Sequence, residues 1–309
     1  MLRFARPMAF LIAAVAGLIA SGQPPAPPAK LTPEQQEKLK TRDRLGSESE
    51  KLQREGKLAE ARAAGAKCLT IERDLFGDNH PDVAESLEWL TSLCVQLEDF
   101  PAARGYGREA LAARKKLHGG SHWKTTDARL ALADVEFRAG LSEDRRADLD
   151  EADRLTRELP RRHDRGEYQK AAEAAEKTLS LRRAVLGDKH PHYADGLHNL
   201  ALVYKAQRLF AKAEPLLKEA LAIRKEVLGE KHPRYAVSLN SLAVLYYSKG
   251  LFAKAEPLYR EALAVRKATV GNKHPDYAVS LDDLALAYYD QNLFAKAAGL
   301  PDHVWSLNE

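Results

Sequence analysis

Apolar residues recur along this chain at spacings of three and four, the period of an α-helix that buries one face. The clearest stretch begins at Pro233, a residue suited to a first helical position because its missing N–H needs no partner there. Leu239, Leu242, Ala243 and Tyr246 follow on one stripe, and Gly250 suits a left-handed helix end. A second stripe carries Phe252, Ala255, Tyr259, Ala262, Leu263 and Val265, with Pro257 near its start and Gly271 closing it. The pattern predicts a pair of helices. Neither can bury its stripe alone, so neighbouring pairs must stack.

The pair repeats. Leu-Phe-Ala-Lys-Ala begins at Leu209, Leu251 and Leu293, each 42 residues after the last. His190-Pro191, His232-Pro233 and His274-Pro275 keep the same step, followed by the Tyr-Ala pairs at Tyr193, Tyr235 and Tyr277. His80-Pro81 and His122-Trp123 are also 42 residues apart. A fixed period of this size marks a solenoid of stacked helix pairs.

These residues resemble the tetratricopeptide repeat. Leu242-Ala243 stands at the family's Leu-Gly position and Tyr246 at its Tyr position. Ala255, Tyr259 and Ala262 stand at the second-helix Ala, aromatic and Ala positions. The 42-residue step, Ala255 to Leu258 (Ala-Glu-Pro-Leu) and Leu228 to Pro233 (Leu-Gly-x-x-His-Pro) are similar to the kinesin-light-chain type of repeat. The resemblance covers most of 31–300. It implies an all-α, right-handed superhelical solenoid of antiparallel helix pairs, and a protein that works by binding another protein or peptide.

A longer repetition lies above this one. Asp43-Arg44-Leu45 matches Asp153-Arg154-Leu155, and Gly77-Asp78 with His80-Pro81 matches Gly187-Asp188 with His190-Pro191, all 110 residues apart. Leu141 therefore restarts the array, giving sub-arrays 31–140 and 141–300. After Gly140 the regular second helix is absent, and Ser142 to Arg165 predicts one long charged helix. Thr32 and Ser142 each supply a capping oxygen for a helix start. The joint is either a hinge or a long helix packed in the missing helix's place. At the other end, Gly299-Leu300-Pro301 stops the last second helix after about one turn. Val304, Trp305 and Leu307 in the tail 301–309 are expected to fold back as a cap, unless the chain is a truncated product of a longer gene.

The amino terminus adds an address. Arg3 and Arg6 precede the apolar run Met8 to Ala20, and the small residues Ala20-Ser21-Gly22 complete the pattern of a signal peptide over 1–22. The run falls short of the roughly 20 apolar residues of a spanning helix. An uncleaved membrane anchor is the minority alternative to export into the periplasm or the extracellular space. Residues 23–30, with Pro24, Pro25, Pro27 and Pro28, form a stiff Pro-rich linker. Removing Arg3 and Arg6 takes the formal charge from +4 to +2, which gives nucleic acid no electrostatic purchase.

Chemistry is sparse. His80, His190, His232 and His274 fall in the same turn of successive units, so they cannot converge on one ion and instead cap the next helix. His118 with His122, or His190 with His192, lacks the carboxylate or Cys of a metal site. No catalytic or phosphate-binding motif is present, and Asp282-Asp283 diverge by about 100° on a helix. No enzyme activity, metal or cofactor is expected. By the resemblance, Cys68 and Cys94 occupy adjacent packed helices, so either a disulfide or two buried thiols fits. The family's ligand-facing positions fall on His198, Asn199 and Lys205, on Asn240, Ser241 and Tyr247, and on Asp282, Asp283 and Tyr289. The resemblance thus implies a peptide groove along the first helices. The alternative is a structural spacer or assembly module, as such or within a larger protein, with no groove of its own.

Overall fold

The structure, a computed structural model, describes residues 32–300. The expected signal peptide, the Pro-rich linker and the tail 301–309 lie outside the described residues. Among the described residues there are thirteen helices and no strand. They are α1 (Pro33–Arg54), α2 (Leu58–Phe76), α3 (Pro81–Gln96), α4 (Phe100–His118), α5 (Trp123–Ala139), α6 (Glu143–Asp164) and α7 (Tyr168–Leu186). The others are α8 (Pro191–Ala206), α9 (Phe210–Leu228), α10 (Pro233–Ser248), α11 (Phe252–Thr269), α12 (Pro275–Tyr289) and α13 (Phe294–Ala298). None is long and apolar enough to cross a membrane.

The longer repetition is visible in the helix starts. Those of α6, α7, α8, α9 and α10 each follow those of α1, α2, α3, α4 and α5 by 110 residues. The long charged helix expected after Gly140 is α6. Its Ser142 takes the N-cap backbone conformation but makes no side-chain cap bond, whereas Thr32 forms a full capping box with Gln35. The helices fall into two compact units. One holds α1 to α4 and the middle of α5, and the other holds the ends of α5 with α6 to α13. Within the second unit Trp123 Nε1 donates to the Thr269 carbonyl, which ties the first turn of α5 to the end of α11.

Each turn into a first helix is built alike. The imidazole Nδ1 of His80, His122, His190, His232 and His274 accepts the backbone N–H two residues on, at 3.1–3.3 Å. The ring thereby satisfies one of the four orphan donors of a helix N-terminus. Pro fills the next position in four of the five turns and Trp123 in the other. Just before, α2, α4, α7 and α9 end on Gly77, Gly119, Gly187 and Gly229, with φ from 75° to 83° and ψ from 162° to 174°. Only glycine occupies that region without strain.

Packing follows the repeat. In the first unit Leu69, Val83, Leu87, Leu90 and Ala110 form one core cluster, and Cys94, Ala103 and Val135 another. In the second, Leu242, Ala243, Leu245 and Tyr246 of α10 pack with Leu217, Tyr259, Leu284 and Tyr288 from α9, α11 and α12. Alanines at the crossings (Ala213, Ala255, Ala262) are fully buried, so the helix backbones approach closely. α13 spans only five residues, in keeping with the stop expected from Gly299 to Pro301.

Candidate functional site

The nine residues singled out on the first helices lie on α8, α10 and α12, all in the second unit. They do not form one surface. His198 and Asn240, expected to face a ligand, are buried between helices. Asn240 Nδ2 donates to Asp283 Oδ2 at 2.8 Å, and its Oδ1 accepts from Ser280 Oγ at 3.2 Å. A buried amide with both ends satisfied is a clasp between α10 and α12, not a free recognition group. Tyr247 repeats the link further along, its hydroxyl donating to Asp290. That bond, with burial, pushes the Tyr247 phenol up to about 12.

His198 stands at the register position of Asn240, one repeat earlier. Its Nδ1 is buried without a hydrogen-bond partner among the described residues. Burial, reinforced by the positive charge of Arg224, lowers its pKa to about 4, so the ring is neutral at physiological pH. Lys205 is half-buried, and burial lowers its pKa against the pull of Asp283. Asp282 is exposed, its carboxyl raised by partial burial and then by the neighbouring Asp283 charge. Tyr289 is exposed as well. Asn199 and Ser241 are half-buried at the same register position of successive first helices, and neither makes a side-chain hydrogen bond among the described residues. They keep unspent donors and acceptors.

The more regular polar feature escaped the sequence reading. Arg114, Arg182, Arg224 and Arg266 are almost wholly buried, each eight residues before a capping histidine. Arg224 donates to the Arg234 carbonyl and the Ser238 hydroxyl of the next first helix, at 3.3 and 2.7 Å, and to Asp195 of the preceding one at 2.8 Å. Arg182 does the same with the His192 carbonyl at 3.1 Å and Asp153 at 2.9 Å. Arg114 holds Glu88 through two bonds of 2.8 Å. Arg266 bonds the Asp276 carbonyl at 2.7 Å and the Ser280 hydroxyl. Val237 stands where the carboxylate partner belongs, and burial lowers the Arg266 pKa. In the first repeat the charges are exchanged: Glu72 takes the arginine position, with Arg42 of α1 3.6 Å away. Burial pushes the Asp195 carboxyl up, but His192, Arg224 and Arg234 outweigh it and hold the acid well below the usual range. A signal existed in the 42-residue spacing of Arg182, Arg224 and Arg266, masked because an isolated Arg in a helix ordinarily belongs to solvent.

The cysteines are not joined. Both are buried thiols, and the disulfide alternative is not realised. Cys68 Sγ lies 3.6 Å from the Arg42 carbonyl and 3.6 Å from Glu72, whereas Cys94 packs with Ala103 and Val135. The antiparallel register explains the separation. A Cβ at Gly65 would stand 3.2 Å from Leu90, so these two positions face each other across α2 and α3. Cys68 lies one turn beyond Gly65 and Cys94 one turn beyond Leu90, in opposite directions. At 1.5 Å per residue they are about 10 Å apart along the helix axes, beyond the ~7 Å limit for bridging Cα atoms. Among the described residues no three His, Cys, Asp or Glu side chains gather as a metal site.

No curated protein matches the chain. Among solved structures it is similar to a putative kinesin light chain with nearly identical TPR-like repeats from Podosopora anserina. That likeness has 22% identity and a TM-score of 0.41, covering 74% of this chain and 96% of the other. BtubC (BKLC) from P. vanneervenii is 24% identical, with a TM-score of 0.41 and coverage of 80% and 89%. The tetratricopeptide repeat model matches residues 52–116, 162–226, 193–268 and 242–300. This fold is in general a non-catalytic scaffold for protein–protein interaction. With more than half its length matched by that model, the chain belongs to the tetratricopeptide repeat family.

Proposed function

We propose that the protein is a non-enzymatic scaffold, exported from the cytoplasm, that holds a peptide or protein segment along the first helices of its second unit. The observation that carries this reading is the pair Asn199 and Ser241: polar, half-buried, in register on α8 and α10, with no side-chain hydrogen bond among the described residues. An extended backbone laid across these helices supplies the donors and acceptors such side chains need. Lys205 and Tyr247 flank them, and Tyr adds amphipathic contact area. A photo-crosslinking residue at Asn199 or at Ser241 should capture a distinct partner from the native exported fraction. Crosslinks only to copies of the chain would overturn the groove.

That second outcome is what a spacer or assembly module would give. Asn240, Tyr247 and Asp283 favour it, since their hydrogen bonds are spent on joining first helices. Export rests on Arg3, Arg6 and the run Met8 to Ala20. Amino-terminal sequencing of the mature protein should begin after Gly22. Recovery of an intact Met1 from the cytoplasm would sink that part of the reading.

A further inference from the structure

The first helices of the second unit carry charge in a fixed order. Lys205 of α8 stands at the register position of Tyr247, 42 residues earlier. Tyr247 finds Asp290 on the next first helix, but the same register offers Lys205 only Ser248, whose hydroxyl donates to the Val244 carbonyl. The Lys205 ammonium is half-buried and makes no ion pair or hydrogen bond among the described residues. Its charge still acts on its surroundings. It adds to the burial and the Arg224 charge that lower the pKa of His198, and it draws on Asp283 of α12.

The opposite charge gathers on α12. Asp283 and Asp290 are seven residues, about two turns, apart on one face. Both turn toward α10, since Asn240 donates to the first and Tyr247 to the second. Those donors are neutral, and neither carboxylate makes an ion pair among the described residues; the charge of Asp283 reaches Lys205 and Arg266 only through space. Between the two ends, α10 presents the uncharged Asn240, Ser241 and Tyr247. The groove thus runs from a cation on α8, across a neutral strip, to two anions on α12.

A charge held partly out of water without a partner is costly, and a bound counter-charge offsets that cost. Resting on the groove reading above, we infer that the bound segment is itself dipolar, with an acidic side chain at Lys205 and a basic one at Asp283 and Asp290. Adjacent helices pack with their axes about 8–10 Å apart, which sets α8 and α12 about 16–20 Å from each other. In an extended chain rising about 3.3 Å per residue, the two charges therefore stand about five or six residues apart. The backbone between them meets Asn199 and Ser241. A segment of one sign fits worse, because one end of the groove repels what the other attracts.

The test pans a displayed library of random twelve-residue peptides against the full chain. Enriched peptides should pair an acidic with a basic residue about five or six positions apart, as that geometry requires. In fluorescence anisotropy with the best of them, Lys205→Met, which keeps the aliphatic stem, should weaken binding about tenfold, and Asp290→Asn likewise. Exchanging the peptide's acidic residue for its amide should cost nothing further in Lys205→Met. Lys205→Glu should instead select peptides with a basic residue in that place. Circular dichroism checks the fold, and Lys205→Met carries the test alone should Lys205→Glu misfold. Enriched peptides of one sign or of none, or an acidic preference that survives Lys205→Met, overturn the inference; if those peptides crosslink to a photo-reactive residue at Asn199, the groove itself stands. No enrichment, or enriched peptides that crosslink at neither Asn199 nor Ser241, overturns the groove and the inference together.

Discussion

Asn240 and Asp283, 43 residues apart in sequence, meet at 2.8 Å across α10 and α12, with Ser280 completing the amide's bonding on its other side. Replacing Asn240 with Ala leaves Asp283 and Ser280 without their shared partner in a buried setting. A loss of about 1–3 kcal/mol follows from stranding such groups. Denaturant unfolding measures it. A double-mutant cycle with Asp283→Asn should give a coupling of at least about 0.5 kcal/mol, the range for residues in contact. Additive losses would mean that the pair does not join the two helices.

The depressed pKa of His198 makes stability depend on pH. With the folded value at about 4 and the unfolded value near 6.5, the unfolded chain binds the proton first as the solution is acidified. Its contribution is therefore complete above about pH 6.5 and lost as the pH falls to about 4, and it reaches at most about 3 kcal/mol. His198→Asn should remove this slope between those values. It places an amide at the register position that Asn240 holds one repeat later, and Ser238 and Ser241 stand in the register of the Ser280 and Asp283 that bond Asn240. Wild type and variant with parallel stability curves over that window would refute the assignment.

Cys68 and Cys94 should both alkylate after unfolding without reductant, and reductant should leave the melting temperature unchanged. Burial also pushes the Cys94 thiol up, which keeps it protonated and slow to oxidise. A linked peptide in non-reducing mass mapping would contradict the register of α2 against α3.

Glu98, Arg208 and Asn292 adopt left-handed backbone, with φ of 55°, 61° and 56°, at the turn where Gly166 and Gly250 stand in other repeats. A non-glycine residue there is strained by about 1–2 kcal/mol, partly offset by the roughly 0.5–1 kcal/mol that glycine's unfolded freedom costs. Arg208→Gly should therefore raise stability by about 0.5–1 kcal/mol. Equilibrium denaturation that shows a loss would mean that the Arg208 side chain holds the turn in a way its exposure does not suggest.

What could be read from sequence was whatever repeats locally. The His-Pro turns, the long helix after Gly140 and the early stop before Pro301 all depend on neighbours a few residues away, and all stand in the structure. The candidate groove fared less evenly. His198 and Asn240 occupy positions that a family pattern assigns to a ligand. Yet burial of a first-helix residue depends on how closely the next first helix approaches, and the local sequence does not carry that distance. Cys68 and Cys94 illustrate the same gap, because adjacency of two helices says nothing of the axial offset between two residues. The buried arginines were visible as a period and overlooked as chemistry.

That arginine ladder also gives the second unit a weak end. Arg182 and Arg224 each pin three consecutive helices, gripping a carboxylate behind and a carbonyl ahead, whereas Arg266 has no carboxylate behind it on α10. In an array whose cohesion is a sum of neighbour-to-neighbour links, melting starts where a link is missing and travels inward. Fraying should therefore begin at α12 and α13, with amide protection climbing toward α8.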